Sequence, residues 1–308
     1  MRKLGKYIIK SLLQMIPVLF LITVIVFILV RVTGDPVALM LPETATEQDR
    51  AELTKALGLD EPLYVQYGVF IKSAIQGDFG ISYHYGQQAL PLVLERIPAS
   101  FELAFVAMLF STLVAIPLGI LSALKRNSFL DLIISGISVL GKAMPNFWVG
   151  IMVILLFSVI LGIFPVSGRG GFSHIILPAF TLGVGLFAQM TRLIRANMLE
   201  ILNQDYIRTA RSKGIIEMVV VGRHALRNGL ISVVTVMSLQ FTSLISGALI
   251  TETVFAWPGL GQLLVTAVNN KDMAIIQASV FIIAILVILI NLLTDIIYRF
   301  LDPRIKYS

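Results

Sequence analysis

Long apolar runs separated by short polar segments set the organisation of this chain. Six runs stand out, at about Lys10–Val30, Phe101–Leu124, Leu132–Phe164, Ile175–Arg195, Asn228–Ile250 and Ala274–Tyr298. An apolar run of about 20 residues is long enough to cross a bilayer as a helix. The pattern therefore predicts an all-α membrane protein with six transmembrane helices. The third run is too long for one simple span and holds Lys142 and Pro145. Proline inside a span (Pro117, Pro145) is tolerated where neighbours satisfy the freed carbonyls.

The polar segments set orientation. With the N-terminus inside, Lys and Arg favour the inner segments by better than two to one, which predicts both termini in the cytoplasm. The layout is then an N-terminal transmembrane helix (1–31), an extracytoplasmic segment (32–100) and a five-helix core (101–308). The uncharged run Ser11–Val30 exceeds the apolar core of a signal peptide, and Arg31-Val32-Thr33-Gly34-Asp35-Pro36 does not resemble a cleavage site, so a retained first span is expected. Segment 32–100 is acidic. Within it, Glu47–Leu57 reads as a short amphipathic helix with Thr46 as N-cap and Gly58 at its end. Pro62–Ile75 reads as a second helix stopped by Gly77, and Gly80–Gly86 as irregular.

Composition sharpens the class. Mean hydropathy is +0.89 and only 14 % of residues are charged, against about 25 % in soluble domains. The net charge of +6 comes from basic residues at membrane edges, which argues against nucleic-acid binding. The absence of cysteine excludes disulfides, thiolate metal sites and cysteine nucleophiles. His84, His174 and His224 stand far apart in sequence, so no metal site is expected. No Gly-x-x-x-x-Gly-Lys-Ser/Thr, Gly-x-Ser-x-Gly or His-Glu-x-x-His occurs, so neither ATP binding through a P-loop nor a catalytic constellation is expected of this chain.

The most informative stretch is the basic segment between the fourth and fifth runs, at about 205–232. Tyr206–Lys213 can form two turns of helix carrying Arg208, Thr209, Arg211 and Lys213, with Gly214 as a natural C-cap. A positive-inside anchor explains the charge; the Ala210…Gly214 small-residue spacing suits close approach by another protein. Lys142 has two readings that stay open: a functional intramembrane charge or a snorkelling side chain. In the fifth run Ser232, Thr235, Ser238, Thr242, Ser243 and Ser246 fall on one helical side. Helix packing is the simpler account. The sharper one is a polar translocation path with Gln189, Gln240, Lys142 and Asn146. Trp257-Pro258-Gly259 reads as a tight turn with an interfacial aromatic, Asp78-Phe79-Gly80 as a structural turn, and Asp295–Arg299 as an i, i+4 ion pair.

Asp205-Tyr206-Ile207-Arg208-Thr209-Ala210-Arg211-Ser212-Lys213-Gly214, followed by His224-Ala225-Leu226-Arg227-Asn228, resembles the EAA loop of binding-protein-dependent ABC-transporter permeases. The first (B-type) permease subunit of the dipeptide, oligopeptide and nickel importers is the group it is most similar to. Gly34-Asp35-Pro36, Leu57-Gly58-Leu59-Asp60-Glu61-Pro62-Leu63 with Gly77-Asp78-Phe79-Gly80-Ile81-Ser82, and Val254-Phe255-Ala256-Trp257-Pro258-Gly259-Leu260-Gly261 also match that group. Arg208-Thr209-Ala210 stand where the wider family has Glu-Ala-Ala, and Ser232 departs from the group's usual proline.

The resemblance implies a coupling helix between helices 4 and 5, seated in a cytoplasmic ATPase, with ATP and Mg bound by two partner ATPase subunits rather than by this chain. It also implies a second homologous permease and an extracytoplasmic substrate-binding protein. Expected cargo is small peptides or a relative such as a nickel complex, moved by alternating access across a bacterial or archaeal cytoplasmic membrane. Two rivals are a membrane-embedded enzyme using Lys142, Asp295 or Glu102, and a solitary channel or carrier.

Overall fold

The computed structural model describes residues 13, 16–28, 37, 41, 44–56 and 58–301, without the side chains of 227, 228, 230–232, 235, 238 and 297–301. Gly34-Asp35-Pro36, Leu57 and the basic N-terminal residues lie outside the described residues. So do the side chains of Ser232, Thr235 and Ser238, and that of Arg299, half of the expected ion pair. Among the described residues regular structure is helical; one isolated bridge pairs Ile81 with Gln88.

The chain divides into two compact units. The first comprises 1–99 and 258–289. An apolar helix α1 (Ile16–Ile28) lies in the first run; the Thr23 and Tyr67 hydroxyls are 2.9 Å apart, and the Phe27 and Tyr67 rings meet edge to face at 5.2 Å. Helix α2 (Glu47–Ala56) starts with a reciprocal cap. The Asp49 amide donates to Thr46 Oγ1 and the Thr46 amide donates to Asp49 Oδ2, so two orphan donors are satisfied at once. Helix α3 (Leu63–Ile75) follows Pro62 and is ended by Gly77 at φ +78°, a conformation that costs glycine little. Phe79 is buried, its ring 5.4 Å from Phe281. The Gly80 amide donates to Asp78 Oδ1. Asp78-Phe79-Gly80 is thus a structural turn.

Helix α4 (Ala89–Leu124) begins in the first unit and runs into the second, which comprises 100–257 and 290–308. Here the long third run divides. Helix α5 (Phe129–Ala143) and helix α6 (Asn146–Val153), continued by a π-helical turn Ile154–Ile160, are bent by 109°. Pro145 is the cause: it has no amide hydrogen to continue α5 and forces its predecessor into extended backbone, as Met144 shows at ψ 133°. Helix α7 (Phe172–Leu202) is central to this unit and packs against α5, α6 and α9 (Leu226–Val254). Its approach to α4 is close. A Cβ at Gly183 would sit 2.4 Å from Ser111 Oγ, and one at Gly119 would sit 2.7 Å from Ile194 Cβ. Small residues at such crossings let helices pack where lipid removes the hydrophobic drive for association. Helices α10 (Leu260–Asn269) and α11 (Met273–Leu301) complete the described chain. The backbone is helical through Ser232, whose retained amide hydrogen permits what a proline would interrupt.

Among the described residues, 89–124, 172–202 and 273–296 are long and apolar enough to cross a membrane, and the bent pair makes a fourth if counted as one span.

Candidate functional site

Two features of the second unit carry the site residues expected from sequence. The first is a charged knob between α7 and α9. Helix α8 (Asp205–Ser212) follows extended Gln204 and ends at Gly214, whose φ is +74°. There the Gly214 amide donates to the Arg211 carbonyl at 3.0 Å. The helix is amphipathic at minimal length. Ile207 and Ala210 are buried, whereas Tyr206, Arg208, Thr209, Arg211, Lys213 and Gly214 are exposed. Ala210 thus packs against its own chain, which corrects the expectation that it opens the surface to another protein; Gly214, with nothing within 4 Å of a built Cβ, is open.

Arg211 stiffens the knob. Its Nε and Nη2 donate to the two carboxylate oxygens of Glu217 at 3.1 and 2.6 Å, a bidentate pair across the Gly214 turn. The guanidinium hydrogen bond holds the Glu217 carboxyl below its ordinary value, and the carboxylate raises Arg211 in turn. Arg208 stands 3.6 Å from Asp205, one turn back. Two apolar residues join the exposed face that the sequence reading did not single out: Ile216 and Met218, 67 % and 83 % exposed. Exposed apolar side chains among cations suit a protein cleft better than water. They lie in the run Ile215–Val221, where Val220 and Val221 are buried and these two are left outside.

The second feature is a pocket of about 180 Å³ formed by α5, α6, α7 and α9. Lys142 lies in the last turn of α5, Asn146 begins α6, and Gln189 and Gln240 come from α7 and α9. Gln240 Nε2 donates to Gln189 Oε1 at 3.0 Å. Ser243 of the hydroxyl stripe also lines the pocket. Thr242 instead donates to Asn291 Oδ1 at 2.8 Å, the packing role. Ser246 is exposed and lies outside that lining, and the Ser238 side chain is outside the described residues.

A third cluster concerns Trp257. The ring is 1 % exposed, so its own chain covers it. The Arg169 guanidinium carbon lies 5.8 Å from the centroid of the Trp257 ring, and Arg169 Nε donates to Glu102 at 3.0 Å. The Gly168 amide donates to the Phe255 carbonyl, and Ser100 Oγ donates to buried Glu252. Glu102 thereby has a structural partner far in sequence from Lys142.

Residues 115–307 match the family described as binding-protein-dependent transport system inner membrane component, and residues 4–104 match its N-terminal counterpart. The oligopeptide transport system permease protein AppB of Bacillus subtilis is 40 % identical, the match covering 99 % of this chain and 100 % of the relative. The glutathione transport system permease protein GsiC of Escherichia coli is 40 % identical and the dipeptide transport system permease protein DppB of the same species 39 %, each match covering 98 % of this chain and 99 % of the relative. An inward-facing structure of the MetNI methionine ABC transporter shares the fold, with TM-score 0.56 and 22 % identity over 68 % of this chain and 96 % of that one.

Proposed function

The chain belongs to the family of binding-protein-dependent transport system inner membrane components, and from that premise we propose that it moves small peptides by alternating access driven by separate ATPase subunits. It is a permease subunit of a binding-protein-dependent importer and a multi-pass protein of the cytoplasmic membrane. Its role is transport, not catalysis. The proposal adds the parts. Six spans place both termini in the cytoplasm and segment 32–100 outside. The α8 knob is the coupling helix. ATP and Mg bind to two partner ATPases, a second homologous permease completes the path, and an external binding protein delivers cargo. The relatives' names, oligopeptide, glutathione and dipeptide permeases, support a peptide cargo.

The observation that carries the coupling role is the knob's construction. Ile207 and Ala210 anchor it to its own unit, the Arg211–Glu217 clamp stiffens it, and Tyr206, Arg208, Lys213, Ile216 and Met218 stand outward. When ATP closes the two ATPases, a stiff projection transmits their displacement to α7 and α9, which flank it in sequence. A positive-inside anchor alone requires neither the clamp nor exposed Met218.

The test is the double variant Arg208→Glu/Lys213→Glu in the complete transporter. The variant is expected to insert in the membrane, lose the co-purifying ATPase subunits and lose ATP-driven peptide uptake in proteoliposomes. Unchanged co-purification and uptake, or uptake by the wild type without ATP, would overturn the proposal.

A further inference from the structure

We infer that the pocket around Lys142 holds the carboxylate of the cargo during translocation, Lys142 and the Gln189 amide being the groups that bind it. This rests on the peptide-importer reading and adds the chemical group that the path recognises.

The chain geometry puts Lys142 there. It occupies the last turn of α5, immediately before the break at Pro145, and its side chain is exposed to the pocket rather than packed. A charge within a membrane-spanning segment is costly unless it faces water or a partner. Among the described residues no carboxylate pairs with it, and no Asp or Glu lines the pocket. Two neighbouring pockets, around Phe110 and Phe180, carry no amide or charged side chain in their linings.

Hydrogen-bond accounting gives the ligand its sign. Gln189 Oε1 is occupied by the Gln240 amide, which leaves the two N–H donors of Gln189 without a partner among the described residues. Lys142 adds three donors and no acceptor. Together they form a donor-rich surface suited to an acceptor-only group, and a carboxylate is the acceptor that every unmodified peptide carries. Room exists as well: a Cβ built at Gly185 or Gly247, both in the lining, meets nothing within 4 Å. A fixed positive charge with no countercharge opposes a bare metal cation at the same station.

The test uses the whole transporter, with its second permease, ATPases and binding protein, in proteoliposomes. The probe is an equimolar library of di- to pentapeptides, half free acids and half C-terminal amides. Lumenal peptides are read by mass spectrometry and normalised to the preference of the binding protein alone. Wild type is expected to import acids over amides by about tenfold, the worth of one charge-assisted hydrogen bond. Lys142→Met should bring that ratio to about one while amides still enter, and Lys142→Arg should keep the preference. If Lys142→Met does not assemble, Lys142→Gln carries the same test. An unchanged ratio in the uncharged variant, or equal loss of acids and amides, overturns the inference. A wild-type complex that imports neither fails the peptide-importer reading itself, and this inference falls with it.

Discussion

At the scale of single residues, a buried ion pair stands out that no local pattern announces. Asp131 is buried in the first turn of α5 and accepts from Arg195 Nε and Nη2 at 2.7 and 2.8 Å. The Asn127 amide and the Ser122 hydroxyl also donate to it. Asn127 takes φ +62° to reach it. Arg195 keeps a quarter of its side chain exposed and Asp131 almost none. Removing one partner of a buried pair leaves the other uncompensated, at about 3 kcal/mol. Asp131→Asn should therefore lower the thermal midpoint in detergent, and Asp131→Leu with Arg195→Met should recover most of the loss. A single variant as stable as the wild type would show that the pair contributes nothing.

The partners are 64 positions apart, and only tertiary packing brings them together. Nothing local along the chain marks Asp131 and Arg195 as partners. Lys142 shows the same limit in milder form. Its presence in an apolar run was plain, but its depth depended on where Pro145 broke the helix. Trp257 shows a further limit: the burial of its ring, with the Arg169 guanidinium 5.8 Å from its centroid, is invisible along the chain.

At the scale of elements, legibility follows the length of the pattern. The cap at Thr46, the stop at Gly77 and the turn at Gly214 were readable because each is a local conformational requirement. The long apolar runs were readable because a bilayer imposes length. The bend of α5 against α6 was only half readable, since proline dictates a break but not its 109°. The knob offers an element-scale prediction. Glu217 has a depressed folded value, its largest cause being the Arg211 hydrogen bond. Its contribution is therefore present above the ordinary carboxylate range and is lost as pH falls through the folded value. Both side chains are more than a third exposed, so solvent screening keeps the effect under about 1 kcal/mol. Amide hydrogen exchange across 205–219, corrected for intrinsic rates, should be faster at pH 2.5 than at pH 7 in the wild type. Glu217→Gln should show the faster behaviour at both. Equal protection in variant and wild type at pH 7 would remove the clamp from the account.

At the scale of the whole molecule, the mechanism requires the knob and the acidic segment to face opposite compartments. A motor that hydrolyses ATP inside can only pull on a projection that is also inside, and a delivery protein outside can only meet a segment displayed there. Under the proposed topology an excess of Lys and Arg in the inner segments supplies the driving asymmetry, and the knob contributes Arg208, Arg211 and Lys213 to it. The chain has no cysteine, so an introduced thiol is unique without further engineering. Glu61→Cys, exposed just before α3, should react in intact cells with a membrane-impermeant maleimide. Lys213→Cys should react only after the membrane is permeabilised. If Lys213→Cys were labelled in intact cells, the projection would lie on the same side as the incoming cargo. No ATPase of the cytoplasm could then reach it, and a solitary carrier would become the better description of the molecule.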